Sequence, residues 1–489
     1  MIVVNERNIA YKNLENFLKI YKNILEIFLL RGIILMEVIM LKRKIEEKLN
    51  LWWSTNTALF VDGARQVGKT YSLERFAKLK SNNYVYLNFI EKSYVIPQII
   101  KSVDAKSFIF NLSSVIDQML VKGDTIIFLD EIQYIYEYME EHNIPKTDFD
   151  IVTLMKFLVE EGSYRYILSG SLLGVTIYDV VSWPTGYMTS FTMYPLDFEE
   201  FMWACGINEA VIDHLKDCLS NLKPVDDFIH NRILDLFMKY IVVGGMPQAV
   251  QTYVDKNDLN LVSLSHQNVE MYNRKDIVKH APKDKRLMIT QIYDMLPEEL
   301  NKQNKRFSLG MLKNKNNHEL VDDSFLWLVN AGIAIPVYMA DEPVVPLRLS
   351  MKRRLLKLFH EDSGLLTYIY MDVQLKNKIL TQEKNINFGA IYENVCASLL
   401  RTHGYDFLYY YNNKRNGEVD FIIEYNSEVL PLEIKSGKEY DRHSALNNLL
   451  SIPNYRINRA YIFDNVNLRT KENKTYLPIY MIEFFRKNE

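Results

Sequence analysis

At 489 residues, 48% hydrophobic and 24% charged, the chain has the composition of a folded protein too long for one ordinary core, so several domains are expected. A net charge of −3 excludes a global field for nucleic acid and leaves only local basic patches. Cys205, Cys218 and Cys396 are scattered, which excludes a disulfide framework or a cysteine metal site and suits a reducing cytoplasm.

Residues 1–39 read as a helical N-terminal extension. The most apolar run, ILEIFLLRGIILMEVIM (Ile24 to Met40), is interrupted by Glu26, Arg31 and Glu37. It is also shorter than the ~20 apolar residues a bilayer requires, so an amphipathic helix and no membrane contact are expected. No small-residue cleavage site follows, which argues against a signal peptide. A natural start at Met36 or Met40 would leave the preceding residues as an extension.

From 40 to 197 short apolar runs alternate with helical patterns: TALFVDG, YVYLNFIE, TIIFLDEIQ, YRYILSGS and SFTMYPL. Strands separated by helix-length segments imply parallel βαβ units, and nearly continuous apolar runs imply strands covered on both faces. Residues 198–285 turn helical and read as a lid, with a break at Gly244, Gly245 and Pro247. Residues 286–350 give short helices and then GIAIPVYMA, a winged-helix-like pattern, and 351–375 form a connector. From 376 to 489 the order helix, strand, strand, helix, strand predicts a separate α/β unit.

The strand TALFVD runs into GARQVGKT, that is Gly63, Ala64, Arg65, Gln66, Val67, Gly68, Lys69 and Thr70, and then into a helical segment. This is the phosphate-loop pattern in its required strand-loop-helix context. Its glycines let successive N–H groups converge on phosphate oxygens, aided by the helix dipole. Lys69 is expected to reach the β- and γ-phosphates of ATP, and Thr70 to hold Mg2+. TIIFLDEIQ delivers Asp130 to the edge of a parallel sheet as the second Mg2+ partner, with Glu131 beside it to polarise the attacking water. YRYILSGS ends in Ser169 and Ser171, where a hydroxyl either senses the γ-phosphate or caps the next helix.

GARQVGKT, LDEIQ, LSGS, YPLDFEEF and YIVVGGMPQAV together resemble the prokaryotic AAA-superfamily ATPases that carry a C-terminal domain of unknown function. The resemblance covers about Met40 to Lys438. It implies a P-loop NTPase sheet of the 5-1-4-3-2 type and ATP hydrolysis. Relatives commonly have Gly-Arg before the YPL segment, whereas here the pair is Gly186-Tyr187, so no arginine finger follows from the resemblance. Arg165 and Arg232 are the arginines left to consider.

Between Asn273 and Lys315 there are eleven Lys/Arg against five Asp/Glu, including KDKR (Lys283 to Arg286) and KQNKR (Lys302 to Arg306). Such an excess either contacts DNA phosphates or forms a solvated or docking face. MKRRLLK (Met351 to Lys357) would extend the same surface.

In the C-terminal unit, GEVDFIIEY (Gly417 to Tyr425) and VLPLEIKSGK (Val429 to Lys438) are separated by a short link containing Asn426-Ser427. A two-residue hairpin loop there sets Asp420 opposite Glu433 and Glu418 opposite Lys435. Two facing carboxylates with Cβ atoms ~5 Å apart call for a cation between them, and hard oxygen ligands suit Mg2+ or Mn2+. Lys435 would orient a water or offset charge on a scissile phosphate. Glu393, flanked by Ala390 and Ala397 on a helix, supplies a third carboxylate that needs a partner.

Glu393, Asp420 and Glu433-x-Lys435 resemble the PD-(D/E)XK nuclease superfamily. Ordinary cross-strand ion pairs are the competing account. The expectation is therefore an α/β multidomain protein: P-loop ATPase core, helical lid, winged-helix-like domain and PD-(D/E)XK nuclease-like domain. It would be an ATPase acting on DNA, with Glu393, Asp420, Glu433 and Lys435 as a metal-dependent cleavage site. The alternative is a nucleotide-dependent switch or interaction protein whose last domain docks a protein partner and cuts nothing. Assembly into an oligomer is compatible with either.

Overall fold

A computed structural model of the chain describes residues 41–170, 182–302, 307, 318–383, 388–436 and 443–487. The expected N-terminal helix, Ser171, Lys305 and Arg306 lie outside the described residues. No helix among the described residues is long and apolar enough to cross a membrane.

The five apolar runs of the N-terminal part become β1 (Ala58–Asp62), β2 (Tyr84–Asn88), β3 (Ile126–Asp130), β4 (Arg165–Ser169) and β5 (Met188–Thr192). All neighbours pair in parallel in the order β2-β3-β4-β1-β5, the arrangement the resemblance implied. Strand β3 is buried along its whole length because helices cover both faces.

On one face α1 (Ile45–Trp53) and α2 (Lys69–Lys80) contribute Leu49, Trp52, Leu73 and Phe76. On the other, α3 (Ala105–Val115), α4 (Gln133–Glu141) and α5 (Ile151–Glu161) contribute Phe108, Ile135, Met155 and Leu158. Each of these side chains stabilises the fold by about 1.5–3 kcal/mol through removal from water. Asp104 and Asp150 start α3 and α5 by accepting backbone N–H groups of the first turn. The result is a rigid slab whose strand ends Asp62, Asn88, Asp130 and Ser169 emerge along one edge.

Helices α6 (Phe198–Ala204), α7 (Glu209–Ser220), α8 (Asp227–Val243) and α9 (Pro247–Lys256) follow, then the long α10 (Leu259–His280), α11 (Arg286–Asn301) and α12 (His318–Asn330). The break between α8 and α9 falls at the glycine pair, as expected. At Gly245 a Cβ would lie 2.1 Å from the Leu196 carbonyl oxygen, so only glycine allows α8 to end against the exit from the ATPase sheet.

The second sheet has eight strands in the order β12-β13-β11-β10-β9-β8-β6-β7. These are β6 (Ala334–Ala340), β7 (Met351–His360), β8 (Leu408–Asn413), β9 (Gly417–Tyr425), β10 (Glu428–Ile434), β11 (Ala460–Asp464), β12 (Arg469–Lys471) and β13 (Lys474–Pro478). The ribbon expected to form a wing is therefore part of the C-terminal sheet: β6 pairs antiparallel with β7 and parallel with β8.

Residues 351–375, expected as a connector, hold β7 and α13 (Ser363–Tyr370). The physical reason is burial. Ala334, Ile335 and Val337 are covered on both faces, which a solvated wing does not require. At the outer edge Lys352, Arg353 and Arg354 are exposed, and charges on an edge strand discourage pairing with other chains.

The hairpin β9–β10 turns through Asn426 (φ 51°) and Ser427 (φ 63°), both left-handed as a two-residue hairpin of this kind demands. Glu428 pairs with Tyr425 and Leu432 with Phe421, the register deduced from the sequence. Helix α14 (Val373–Leu380) precedes α15 (Gly389–Thr402), which packs across β6, β7 and β10.

Candidate functional site

The loop Gly63–Thr70 joins β1 to α2. A Cβ on Gly63 would fall 2.1 Å from the Met193 carbonyl oxygen, and its φ is +136°, so the loop turns where only glycine fits. Lys69 is buried, and its Nζ donates to the Gly63 and Ala64 carbonyl oxygens, both at 2.8 Å. Burial pushes its pKa down to about 8, against the pull of Glu131, Asp130 and Asp62. The ammonium thus rests on the carbonyls of its own loop, beside the acids of β3.

Asp130 is the hub. Its Oδ2 accepts from Thr70 Oγ1 at 2.9 Å, Tyr86 OH at 2.9 Å and Asn88 Nδ2 at 3.1 Å. Its Oδ1 accepts from the Ser169 hydroxyl and, at 3.1 Å, from the Glu131 N–H. Burial raises the carboxyl's pKa and Glu131 adds to the rise, while the Ser169, Tyr86 and Thr70 hydroxyls oppose it.

Glu131 sits at φ 58° and accepts from the Gln133 amide. A left-handed backbone at a non-glycine residue costs of order 1 kcal/mol or more and clusters at functional sites. The hard oxygens of Thr70 and Asp130 fit Mg2+, which takes a few protein oxygens and keeps several waters.

Sequence reasoning missed Tyr86 and Asn88. Their signal was present: they lie two residues apart at the end of a strand and so share a face. Arg165 does not reach the phosphate loop of its own chain. It stacks on Trp53 at 5.0 Å and donates to the Trp53 carbonyl at 3.2 Å, at the opposite end of β4 from Ser169. Arg232 is exposed on α8. Arg65 instead reaches α10, with Nε 2.5 Å from Asp276 Oδ2.

Of two consecutive residues ahead of α1, the first supports the loop and the second joins a buried charge cluster. Arg43 donates to the Val67 carbonyl at 2.8 Å, the Tyr194 carbonyl at 2.7 Å and Glu200 at 3.1 Å. Lys44 Nζ lies 2.5 Å from Asp197, 2.6 Å from Glu199 and 2.9 Å from Glu483. His403 Nε2 lies 3.2 Å from Glu483 and 3.6 Å from Asp197.

Asp197, His403 and Glu483 carry ligand-type atoms within 4.8 Å of one another, but Lys44 already fills the space between the acids. Burial opposes the charge on Lys44, yet Asp197, Glu483 and Glu199 outweigh it and raise the pKa. This is a satisfied charge cluster that ties the ATPase core to the C-terminal unit. Nothing in the local sequence signalled it.

The C-terminal candidates are brought to one end of β9 and β10. Lys435 Nζ lies 2.8 Å from Glu433 Oε1, and Asp420 Oδ2 accepts the Ile434 N–H at 2.9 Å. Glu433 is buried; burial raises its pKa, Lys435 lowers it and Glu393 raises it again.

The missed residue is Lys357 of β7. It is wholly buried, 2.7 Å from Glu418 Oε1, 3.7 Å from Glu393 Oε2 and 4.9 Å over the Tyr410 ring. Burial opposes its charge, but Glu393, Glu418 and Asp420 prevail and raise its pKa. Glu418, expected opposite Lys435, is thus taken by Lys357. MKRRLLK is accordingly not one continuous surface. Glu393, Asp420 and Glu433 suit a hard cation by donor type, but they do not form a second close ligand group among the described residues.

Of the seven lysines and arginines of the middle region among the described residues, four are paired with acids. Arg274 contacts Glu270 and Asp294, Lys279 contacts Glu137, Lys285 contacts Asp323 and Lys302 contacts Glu299.

Residues 55–202 match the family model described as an AAA domain. Residues 234–377 and 388–482 match two domains of unknown function, DUF8612 and DUF4143. No curated protein matches the sequence.

Among solved structures, the chain is similar to a Walker-type ATPase of Pyrococcus abyssi, at 14% identity over 68% of this chain and 96% of that one, with a TM-score of 0.41. It is also similar to Drosophila ORC bound to DNA (14% identity, 68% and 92% covered, TM-score 0.26). A third likeness is to AMPPCP-bound DnaA from Aquifex aeolicus (15%, 57% and 74%, 0.23). Likenesses this distant carry no functional inference.

Proposed function

We propose that this AAA-superfamily ATPase domain binds Mg·ATP between its phosphate loop and β3, hydrolyses it, and uses the cycle to switch the C-terminal α/β unit. The observation that carries this is the Asp130 carboxylate, held by Thr70, Tyr86, Asn88 and Ser169 beside Lys69. Thr70 and Asp130 would hold Mg2+, which neutralises phosphate charge when bound.

The loop N–H groups bind the phosphates, and Lys69 leaves its two carbonyls for them. Glu131 orients the attacking water and takes its proton as oxygen bonds to the γ-phosphorus and the bond to ADP breaks. Purified protein should release phosphate from ATP only with Mg2+ present, and EDTA should stop it. Phosphate release that ignores EDTA, or no binding of a fluorescent ATP analogue, would sink the proposal.

A second reading is favoured by one observation: Glu393, Asp420, Glu433 and Lys435 are electrostatically coupled at one end of the sheet. In this reading they cleave DNA with Mg2+ or Mn2+. Lys357 and Lys435 already pair with Glu393, Glu418 and Glu433, which favours the docking role. Linear, circular and single-stranded DNA incubated with Mn2+ separates the two. Cleavage lost in Asp420→Asn and in Lys435→Ala supports the nuclease; intact DNA, or equal cleavage by both variants, supports the docking module.

A further inference from the structure

We propose that Arg65, inside the phosphate loop, is the arginine that meets the γ-phosphate in cis, and that Asp276 of α10 holds its side chain while the site is empty. The inference rests on the ATPase reading above and adds to it the group that distinguishes ATP from ADP.

Arg65 is the third residue of the loop, and its Nε lies 2.5 Å from Asp276 Oδ2. Asp276 is buried, with burial raising its carboxyl to about 6 against the pull of Arg65 and Lys279, while Glu131 adds to the rise. The Arg65 charge in turn bears on Lys69. The guanidinium therefore belongs to the loop that carries Lys69 and is held at its edge by Asp276, whereas Arg165 packs on Trp53 at the other end of β4.

Helix α10 is fixed there by a second grip. Lys279 Nζ lies 3.0 Å from Glu137 Oε2 and 4.6 Å over the Tyr134 ring, and His280 Nδ1 lies 3.2 Å from Glu137 Oε1. Tyr134 and Glu137 belong to α4, which begins just after Glu131. The end of α10 thus clasps the phosphate loop at one point and the segment after the hydrolytic acid at another. A cleft of about 1010 Å3, lined by Arg65, Tyr134 and α10 from Gln267 to Lys279, leaves room beside the clasp.

A γ-phosphate carries more charge than one carboxylate and presents oxygens that match the planar guanidinium fork. ATP should draw Arg65 away from Asp276 and free the end of α10, whereas ADP has no group at that position and leaves the pair closed. Arg65 is then a catalytic residue and Asp276 a positioning residue.

The test compares fluorescent ATP and ADP analogues and ATP turnover in wild type, Arg65→Ala, Arg65→Lys and Asp276→Asn. In Arg65→Ala, ADP affinity should stay within about threefold while ATP affinity falls about tenfold and kcat about a hundredfold or more, as for loss of an arginine on transferring phosphate. Arg65→Lys should recover part of the ATP preference, and Asp276→Asn should shift it further toward ATP. An ATP-to-ADP affinity ratio unchanged by Arg65→Ala overturns the arginine assignment, and a ratio unchanged by Asp276→Asn overturns the latch. Failure of the wild type to bind either nucleotide would overturn the ATPase reading itself, which keeps the two failures distinct.

Discussion

Lys69→Ala should abolish detectable ATP binding, and Glu131→Gln should keep ATP bound while lowering turnover about a hundredfold or more. The two variants separate binding from chemistry. Lys69 is buried, and Glu131 and Asp130 both favour its charged form against that burial. Without it, a triphosphate would enter a site containing Asp62, Asp130 and Glu131 with one fewer cation to offset them, and a point charge of this kind is the loop's main attraction for the β- and γ-phosphates.

Glu131→Gln has nearly the same shape and can still accept the Gln133 amide, but it cannot take a proton from water. Equilibrium titration with a fluorescent ATP analogue and steady-state phosphate release measure the two effects. Undiminished ATP affinity in Lys69→Ala, or undiminished turnover in Glu131→Gln, would reject the assignments.

Lys357→Met should lower the stability of the C-terminal unit, by up to about 3–5 kcal/mol, because it removes a buried cation that faces the buried Glu393 and the half-buried Glu418. Glu393 and Glu418 both contact this wholly enclosed lysine, and Asp420 also contributes to holding its charge. Methionine keeps the volume, so the loss is electrostatic rather than a cavity.

The urea midpoint of the variant, followed with and without Mn2+, also tests the two readings of the site. Recovery in Mn2+ beyond that of wild type would show that these acids can take a cation, which supports the nuclease reading. A midpoint unmoved by the metal would mark the acids as one half of a structural ion pair. A variant as stable as wild type would show that Lys357 does not support these acids.

What was legible in the sequence depended on how local its cause is. GARQVGKT encodes its conformation within eight residues, because two glycines and the strand and helix beside them fix the loop. Asn426-Ser427 likewise fixed the β9–β10 register, because a two-residue turn leaves one pairing and a slip would move every side chain to the other face. The 5-1-4-3-2 strand order came from the resemblance rather than from residue patterns.

Lys357 was illegible because it reads as one base in MKRRLLK, and its partners lie on α15 and β9, distant in sequence. GIAIPVYMA, which became β6, reads alone as part of a wing, because its parallel partner β8 lies beyond β7, α13, α14 and α15, and nothing in the run names its neighbour. Asp276 and Arg65 meet by the same long route. Geometry set within a few residues can be read from the chain, whereas a charge pair whose members lie far apart in sequence leaves no local mark.

The adjacent residues Arg43 and Lys44 have a consequence for the order in which the chain acquires its contacts. Arg43 supports the phosphate loop through the Val67 carbonyl, and the next residue is anchored to Glu483, 439 positions later. The same Glu483 accepts the Phe198 N–H at 3.0 Å. Contacts of such separation form late, because the entropy of closing the loop must be met before they contribute. On a ribosome, Arg43 could reach the Val67 carbonyl early, whereas the pairing of Lys44 with Glu483 would wait until residue 483 has been synthesised, so the segment ahead of α1 gains its tie to the end of the chain last.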